Sequence, residues 1–348
     1  MKKLLFCGGG TAGHIMPNLA LIDEILRNDD YKIYYLGTGG MERNLLKPYL
    51  SKGVCYYEFK AVKLKRKFSF STALLPFKLL SAITECKKIL SLLRPDLVIS
   101  KGGYGGLPVV IAAAMLKIKS IAHESDFSLG LANKLSLPYV RKMFTVFENA
   151  ASQSGKKGIY CAAPLRSQIF KGCKQTGLNI TNFSGNRPIL LLLGGSLGSV
   201  KLNTALFTSL PILTATYDII AITGKGKGIA YQNQAFYQTE FTDSIQHFYA
   251  CADVAVSRAG SNTISELLAN KIPSLLIPLN NSSRGEQIKN AEYYKKTNCV
   301  YVLSETELTS ASLIYNINKL QNDRNSIEQN IQNFCRFDTI MLKFILNQ

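Results

Sequence analysis

The sequence predicts an α/β protein with two Rossmann-like domains that face one another across a cleft, and three observations lead to this prediction. Its 348 residues exceed the usual size of a single hydrophobic core. Hydrophobic residues make up 47% of the chain and charged residues 18%, which is typical of a globular protein. An apolar run, a glycine-rich turn and a helical stretch follow one another from Leu4 and again from Pro188, so we expect the two halves to begin alike.

The first half opens on a predicted buried strand, residues 4–7, which meets the glycine-rich turn GGGTAGH at residues 8–14. An amphipathic helix is predicted from about Pro17 to Leu26. In open α/β sheets this succession forms phosphate- or sugar-binding loops, because backbone N–H groups and the helix dipole face the anion. The spacing differs from GxGxxG, and the second strand, residues 32–36, ends in glycines rather than in an acidic residue. A dinucleotide cofactor is therefore disfavoured.

His14 lies at the end of this first turn. Histidine titrates near neutrality and is the commonest general base. The turn opens with three consecutive glycines, which let backbone approach a ligand closely. We interpret His14 as the candidate base; the alternative is a histidine at a helix start that only hydrogen-bonds the loop.

Two further strands of the first half end in segments that suit a ligand site. Residues 95–100 lead into KGGYGG at 101–106, and residues 120–122 lead into HESD at 123–126. The carboxyl ends of parallel strands share one edge of a sheet, so these segments are expected to face the cleft. A metal site would need more ligands, so we interpret His123, Glu124 and Asp126 as sugar contacts or loop scaffolding.

The last strands of the first domain are predicted at residues 145–147 and 158–160, before a polar connector at 167–187. The second half then starts with a strand at 188–193 and the turn GGSLGS at 194–199. Because this start mirrors the opening of the chain, its turn is a second candidate phosphate site.

The segment SRAGSNTISE, residues 257–266, follows an apolar run and leads into a helix. Hydroxyl and amide groups at such a turn suit a phosphorylated sugar, and Glu266 can accept hydrogen bonds from vicinal hydroxyls. An ordinary helix capped by Ser261 or Asn262 is the alternative. A strand at 272–278 and an amphipathic helical tail from 334 to 346 complete the second half.

The formal net charge is +18, from 41 basic and 23 acidic residues. Such a charge favours nucleic acid, anionic lipid or phosphorylated substrates as partners. No RNP-like motif or zinc finger accompanies it, so nucleic acid is not expected.

Residues 60–83 join a basic cluster to aromatic and aliphatic side chains, which is typical of a surface that docks on an anionic membrane. A core helix behind a solvated charge run is the alternative.

Eight cysteines are scattered singly and the chain has three histidines, so neither a zinc site nor a CxxC redox motif is indicated. Reduced thiols in a cytosolic protein are the expectation. The N-terminal apolar run is too short for a signal peptide, and the apolar stretch at residues 107–116 is about half of what a membrane span needs. Any membrane contact is therefore expected to be peripheral.

Six motifs, taken in order over nearly the whole chain, resemble those of the MurG branch of glycosyltransferase family 28. They are GGGTAGH (8–14), SKGGY (100–104), HESD with GLANK (123–126 and 130–134), GGSLGS (194–199), SRAGSNTISE (257–266), and SRGEQ with NA (283–287 and 290–291). One such motif alone is a weak signal, but six in the right order are highly specific.

The resemblance implies the GT-B fold, with an acceptor- and membrane-binding domain at residues 1–164 plus 334–348 and a UDP-GlcNAc-binding domain at 165–333. It implies an inverting transfer of GlcNAc from UDP-GlcNAc to lipid I, undecaprenyl-pyrophosphoryl-MurNAc-pentapeptide. The product, lipid II, serves peptidoglycan synthesis and through it cell shape and division. His14 would be the catalytic base. Neither a metal ion nor a cofactor is implied, and no Asp-x-Asp triad stands in a suitable place.

The resemblance also implies which residues bind the two substrates. Those expected at the donor are Thr11, Ala12, Gly13, Asp126, Arg166, Ser196, Thr242, Ser261, Asn262, Thr263, Ile264, Ser265, Glu266 and Gln287. Those expected at the acceptor are Gly102, Gly103 and Tyr104. Arg166 and Ser196 would hold phosphate, and the backbone near Thr242 would read the uracil. Glu266 would bind the ribose hydroxyls and Gln287 those of the sugar.

The implied location is the cytoplasmic side of the cell membrane, as a peripheral protein docked through residues 60–83, with cell-wall synthesis proteins among its partners.

Two positions depart from the family. Asp126 stands where many members have an asparagine that contacts the sugar, and an ionised carboxylate there would repel a donor phosphate. Gly105 and Gly106 stand where bulkier residues are usual.

Three rival functions share parts of this pattern. A diacylglycerol glycosyltransferase would share the charge, the membrane surface and the donor motif, but the HESD and GLANK segments favour lipid II synthesis. A UDP-N-acetylglucosamine 2-epimerase would share the fold, but it would need more acidic catalytic residues and no membrane surface. A basic nucleic-acid-binding or scaffold protein would carry a degenerate nucleotide pocket, and the intact glycine-rich turns argue against it.

Overall fold

The structure, a computed structural model, shows two compact α/β units. It describes residues 1–10, 12–61, 75–194, 198–280, 285–336 and 338–348, apart from the side chains of Ala12 and Leu75. The N-terminal unit comprises Met1–Arg166 with Asp338–Gln348, and the C-terminal unit comprises Ser167–Phe337. Each unit has its own parallel sheet, so the predicted α/β class with two domains is confirmed.

The N-terminal unit contains a seven-stranded parallel sheet in the order β3-β2-β1-β4-β5-β6-β7. Its strands are β1 (Lys2–Cys7), β2 (Tyr31–Gly37), β3 (Cys55–Glu58), β4 (Leu97–Ser100), β5 (Lys119–Glu124), β6 (Lys142–Thr145) and β7 (Gly158–Tyr160). Strand order reverses between β1 and β4, which pair from Leu4 with Leu97 to Cys7 with Ser100. Such a switch point is where open α/β sheets bind ligands, beyond the carboxyl ends of the strands.

Helices of this unit lie on both faces of the sheet. They span Ala12–Ile25, Met41–Leu50, Leu75–Leu93, Leu107–Met115, Leu131–Ser136, Glu148–Gln153 and Ile340–Leu346. On one face Leu4 and Phe6 enter the apolar core, and on the other Leu5 and Cys7 enter a second core. Successive side chains of a strand point to opposite faces of the sheet, and because this strand is buried on both faces its side chains enter two different cores. Among the described helices of the chain, none is both long and apolar enough to cross a membrane.

Two predicted boundaries in this unit were wrong. The first helix begins at Ala12 rather than near Pro17, because the turn closes early and Pro17 lies inside the helix instead of opening it. Strand β6 ends at Thr145, so residues 145–147 are not a strand; Phe147 instead caps the helix Glu148–Gln153.

The helix Ile340–Leu346 returns from the end of the chain to the N-terminal unit. Met341 and Ile345 are buried in the core that contains Leu4 and Phe6. The Tyr31 hydroxyl donates to the Leu346 carbonyl oxygen at 3.0 Å. The predicted helical tail from 334 is in fact two elements, since Phe334 ends a helix of the C-terminal unit and the returning helix starts at Ile340.

The C-terminal unit contains a six-stranded parallel sheet in the order β10-β9-β8-β11-β12-β13. Its strands are β8 (Ile189–Leu193), β9 (Asp218–Ile222), β10 (Phe236–Thr239), β11 (Val254–Ser257), β12 (Ser274–Leu276) and β13 (Val300–Val302). Its α-helices are Lys174–Thr181, Val200–Leu213, Ile245–Cys251, Ser261–Ala269, Glu286–Lys295, Ser310–Asn322 and Arg324–Phe334. Strand order reverses between β8 and β11, so a second switch point lies where the turns after these two strands meet.

Two expectations for this unit also need correction. Strand β12 is shorter than the predicted 272–278, because Pro273 and Pro278 flank it and proline cannot donate to the ladder. The stretch 167–187, predicted as a connector, contains the helix Lys174–Thr181, whose Gly177, Leu178 and Thr181 are buried.

Candidate active site

The first glycine-rich turn leads from β1 directly into the helix Ala12–Ile25, so Gly13 and His14 lie in the first helical turn. N–H groups in the first turn of a helix have no partner within the helix and can receive an anion or a sugar oxygen. Thr11 and the side chain of Ala12 are outside the described part of the chain. The described residues of the turn therefore offer backbone donors together with one imidazole.

The second glycine-rich turn, residues 101–106, packs against the first. Gly103 has φ +70°, and a Cβ at this position would lie 3.4 Å from both Cδ2 and Nε2 of His14. Gly10 has φ +95°, and a Cβ there would lie 2.3 Å from Cε1 of Tyr104. Both positions therefore favour glycine for the backbone angle, and Gly10 also needs it for the close approach of the Tyr104 ring. The structure thus brings together His14, Gly103 and Tyr104, which the sequence assigned to two separate motifs.

This packing places a titratable side chain at the switch point of the N-terminal sheet. His14 is half-buried and lies against backbone that carries no side chain. An imidazole in this place can take a proton from a hydroxyl bound at the glycine-rich turns. The geometry is consistent with a general base.

Glu42 lies beneath the first turn, and the sequence analysis did not single it out. Its side chain is buried, and its Oε1 accepts hydrogen bonds from the Thr38 N–H at 2.6 Å and the Thr38 hydroxyl at 2.5 Å. A Cβ at Gly9 would lie 2.7 Å from this oxygen. Burial alone would raise the pKa of Glu42, but hydrogen bonds from Thr38 and from backbone N–H groups, including that of Gly10, hold it below its ordinary value. Glu42 is therefore an ionised support for the turn.

The end of β5 divides the predicted trio His123, Glu124 and Asp126 into different roles. His123 is buried, and among the described residues neither of its ring nitrogens has a hydrogen-bond partner. Burial, and secondarily the charge of Lys101, hold its pKa well below the ordinary value, so the imidazole is neutral. Asp126 is half-buried in the turn that follows.

Glu124 is loop scaffolding. Its Oε1 accepts from the Asp126 N–H at 3.2 Å, and its Oε2 accepts from the Gly130 N–H at 2.8 Å and the Asn133 side-chain amide at 3.0 Å. Asn133 also donates to the His123 carbonyl oxygen at 3.1 Å. The HESD and GLANK segments are thus one hydrogen-bonded unit, which explains the asparagine at position 133 of the second segment.

At the switch point of the C-terminal sheet, the helix Ser261–Ala269 starts directly after β11. Its N-cap is Gly260, without a side-chain cap, so the alternative of an ordinary helix capped by Ser261 or Asn262 does not hold. Helix starts of this kind can bind anions through backbone N–H groups and the positive end of the helix dipole. Glu266 is half-buried and its Oε2 accepts from the Tyr249 hydroxyl at 2.7 Å. Ile264 and Ser265 are buried, and Asn262 and Thr263 are half-buried.

Arg258 joins the two turns of the C-terminal switch point, a role that the sequence analysis missed. Its guanidinium is buried and donates to the Ser199 hydroxyl through Nε at 3.1 Å and Nη2 at 2.6 Å. Nη2 also forms an ion pair with Glu305. Ser199 in turn accepts from the Leu202 N–H at 3.3 Å and caps the helix Val200–Leu213. The only sequence signal was an arginine inside an otherwise small and polar motif.

Two other predicted donor residues lie in loops of the C-terminal unit. The Thr242 hydroxyl accepts from the Ser244 N–H at 2.9 Å. Gln287 accepts from the Leu279 N–H at 3.0 Å through Oε1. Both side chains are half-buried and hold local backbone in place.

The predicted phosphate contacts Arg166 and Ser196 have different outcomes. Ser196 is outside the described residues. Arg166 is half-buried at the end of the N-terminal unit, and its positive charge acts on the Tyr49 hydroxyl, which donates to Asp23 at 2.9 Å. Among the described contacts, none joins Arg166 to the glycine-rich turns.

Comparisons with known proteins cover both units. The model of the glycosyltransferase family 28 N-terminal domain matches residues 4–145, and that of the family's C-terminal domain matches residues 189–341. The chain belongs to glycosyltransferase family 28. It is therefore a glycosyltransferase.

Relatives within family 28 resemble the chain over its length. One from Clostridium tetani (strain Massachusetts / E88) is 39% identical over 95% of this chain and 93% of its own. One from Staphylococcus aureus (strain MRSA252) is 38% identical over 96% of this chain and 95% of its own. Both are named UDP-N-acetylglucosamine–N-acetylmuramyl-(pentapeptide) pyrophosphoryl-undecaprenol N-acetylglucosamine transferase.

The fold of the family 28 chain also matches a solved structure. The crystal structure of Acinetobacter baumannii MurG has a TM-score of 0.79 to it at 21% identity, with 100% of both chains covered. This likeness shows a shared fold. Within the described ranges, no group of three or more His, Cys, Asp or Glu side chains is placed to hold a metal ion.

Proposed function

We propose that the chain transfers GlcNAc from UDP-GlcNAc to lipid I, undecaprenyl-pyrophosphoryl-MurNAc-pentapeptide, and so forms lipid II in peptidoglycan synthesis. The observation that carries the proposal is near-full-length identity of 38–39% to transferases whose names state this donor and this acceptor. The packing of His14 against the second glycine-rich turn supports it, because a base stands where an acceptor hydroxyl can be bound.

In the proposed mechanism, His14 takes the proton of the acceptor hydroxyl as this oxygen attacks the anomeric carbon on the face opposite UDP. The configuration at that carbon inverts, and the transition state has oxocarbenium character. The acceptor lies at Gly102, Gly103 and Tyr104, and the backbone of residues 11–13 together with Asp126 approaches the donor sugar. His14 holds the proton that it receives until product leaves.

UDP leaves as an anion, and in the proposal a second set of groups in the chain stabilises its negative charge. The helix start at Ser261–Ala269 supplies backbone N–H groups and a positive dipole end, with Asn262, Thr263, Ile264 and Ser265 in its first turns. Arg166 and Ser196 add donors to the phosphates, the backbone at Thr242 reads the base, and Glu266 accepts hydrogen bonds from the ribose. Gln287 binds hydroxyls of the transferred sugar. These preorganised donors are the means of leaving-group stabilisation in the proposal.

The proposed place of action is the cytoplasmic face of the cell membrane, where the chain docks as a peripheral protein beside other cell-wall synthesis proteins. The docking surface is residues 60–83, of which 62–74 are outside the described residues. In the described remainder, Phe77 and Leu80 are 70% and 60% exposed on the helix Leu75–Leu93, next to Lys78. Exposed apolar side chains beside cations suit an anionic lipid surface.

The decisive experiment measures UDP release from UDP-GlcNAc with and without a lipid I analogue, with His14→Ala protein as the matched control. We expect release only when donor and analogue are both present. Release that needs no acceptor, release that needs diacylglycerol instead, or conversion of the donor to its 2-epimer would each overturn the proposal.

For the membrane site, Phe77→Ser with Leu80→Ser should weaken binding to anionic vesicles, while Leu92→Ser, 76% exposed on the same helix, should not.

A further inference from the structure

Tyr249 is a buried tyrosine on the helix Ile245–Cys251 of the C-terminal unit, and it is 4% exposed. Its hydroxyl donates to Oε2 of Glu266 at 2.7 Å, which joins this helix to the helix Ser261–Ala269. A hydrogen bond from a hydroxyl to an ionised carboxylate is short and about twice as strong as one between neutral groups. The side chain of Glu266 is therefore held by a partner that is itself buried.

The helix that carries this tyrosine packs closely against the residues that precede β8. A Cβ at Gly172 would lie 2.0 Å from the Gln246 carbonyl oxygen, and one at Gly177 would lie 2.6 Å from the His247 carbonyl oxygen. The Cys173 N–H donates to Nδ1 of His247 at 3.0 Å. Such close contacts between backbones leave the helix little room to shift. The tyrosine hydroxyl thus projects from a fixed support.

Glu266 shares one face of its helix with the polar residues of the helix start. Asn262 and Thr263 precede it by four and three residues, so the three side chains are neighbours on the helix surface, and all three are half-buried. Ser265 and Leu267, on either side of Glu266 in sequence, are buried. A ligand bound at the helix start can therefore reach the carboxylate, whose two oxygens can accept from the tyrosine hydroxyl and from vicinal hydroxyls at once.

We infer that Tyr249 is a positioning residue that holds the Glu266 carboxylate for the vicinal hydroxyls of a ribose. It makes the C-terminal unit selective for ribonucleotides over nucleotides that lack these hydroxyls. A glutamate side chain that is already held loses less rotamer freedom when the ligand binds, so its contact with the ribose contributes more to affinity. The inference rests on the proposed function, in which Glu266 accepts hydrogen bonds from the ribose, and it gives Tyr249 no contact with the ligand.

The test measures binding of UDP and of 2′,3′-dideoxy-UDP to the full chain by titration calorimetry, without an acceptor. Wild type should bind UDP at least about tenfold more tightly, because a site that bonds a hydroxyl to a carboxylate discriminates against the analogue that lacks it. Tyr249→Phe keeps the buried ring and removes only the hydroxyl. It should weaken binding of UDP by about fivefold, or about 1 kcal/mol, and binding of the dideoxy analogue by less than about twofold.

Glu266→Ala completes a double-mutant cycle with Tyr249→Phe. The alanine variant should lose most of the selectivity for UDP, and adding Tyr249→Phe to it should change UDP affinity by less than about twofold. In the transfer assay, Tyr249→Phe should raise KM for UDP-GlcNAc by about fivefold with little change in kcat, because the ribose contact is the same in the ground state and the transition state.

The matched control is Tyr217→Phe, since Tyr217 is 2% exposed in the same unit and its hydroxyl donates to Oδ1 of Asn318 at 3.0 Å. Its selectivity for UDP should equal that of wild type. The inference is overturned if Tyr249→Phe weakens binding of both ligands equally, if it leaves the selectivity unchanged, or if Tyr217→Phe lowers the selectivity as much.

The binding measurements separate this inference from the proposed function, because they need no acceptor. If wild type transfers no GlcNAc to the lipid I analogue but its selectivity for UDP depends on Tyr249, the inference stands and the proposed function falls. If wild type transfers GlcNAc but binds the two ligands equally, the proposed function stands and the inference falls. A chain that binds no UDP overturns both.

Discussion

The two sheets carry glycine-rich turns at the same place, their switch points, but hold these turns together by different means. In the N-terminal unit, rings pack directly on bare backbone: Tyr104 against Gly10 and His14 against Gly103. In the C-terminal unit, the buried guanidinium of Arg258 bonds Ser199 and pairs with Glu305. The first arrangement is steric and the second is electrostatic. We call the two ring contacts the steric lock and the Arg258 contacts with Ser199 and Glu305 the electrostatic lock.

This difference matches the two tasks of a sugar transfer. A steric lock leaves a half-buried imidazole at the surface of the turn, where its proton can move. An electrostatic lock places its charges beneath the turns and leaves the helix start at Gly260 without a side-chain cap. We therefore expect the largest effect on turnover from a change in the first unit and the largest effect on stability from a change in the second.

The largest expected effect is on turnover in the N-terminal unit. His14→Ala should lower kcat by about 10²–10⁴-fold, the usual contribution of a general base. His247→Ala is the matched control, because His247 is also half-buried and its Nδ1 accepts from the Cys173 N–H at 3.0 Å. Steady-state kinetics check both. Near-wild-type turnover of His14→Ala would remove the histidine from the role of base.

Next in size is the loss of the electrostatic lock. Arg258→Met should lower the free energy of unfolding by about 3–5 kcal/mol, because it leaves the Glu305 carboxylate buried without its cation. Changing Glu305 to Gln as well should recover part of the loss. Arg324→Met, which removes a more exposed pair with Asp253, should cost about 1 kcal/mol or less. Equal losses in the two arginine variants, by denaturant titration, would contradict the assignment.

A smaller loss is expected from the steric lock. Gly10→Ala should destabilise the protein by about 1–3 kcal/mol, because its methyl would overlap the Tyr104 ring and φ is +95°. Gly53→Ala is a control for the backbone angle alone, since φ is +90° there and no heavy atom lies within 4 Å of the added carbon. If both variants unfold at the same denaturant concentration, ring contact contributes nothing to the lock.

The smallest expected effect concerns Glu42 and depends on pH. Its depressed pKa means that its contribution to stability is present above the ordinary carboxyl value of about 4.3 and is lost as pH falls through the lower folded-state pKa. Glu42→Gln should cost about 1 kcal/mol near pH 7, and the difference from wild type should shrink below about pH 4. Glu24→Gln removes a half-buried i,i+3 partner of the exposed Arg27 and should show a smaller and flatter difference in pH-dependent unfolding. A constant difference for Glu42→Gln at all pH values would show that its charge is not what stabilises the turn.

The sequence was enough to predict those features that depend on local patterns of residues. Strands β1, β4, β8 and β11 are apolar runs that end at glycine-rich turns, and the family follows from the turn motifs. Contacts between distant segments could not be predicted this way. His14 meets Gly103 only because β1 and β4 are neighbours, and Arg258 meets Glu305 across 47 positions of chain. The start of the first helix was misplaced at Pro17 because proline suits several positions near a helix start.

The returning helix Ile340–Leu346 makes the N-terminal unit depend on the order of synthesis. A ribosome extends the chain from its amino end, so the first sheet can form long before residues 338–348 are made. Until then, the surface that receives Met341 and Ile345 stays open, and the Ala162 N–H lacks the Asp338 carboxylate that accepts from it at 3.2 Å. The second unit must be translated in full before the first can close. Maturation of the first unit is therefore delayed by the translation time of the other.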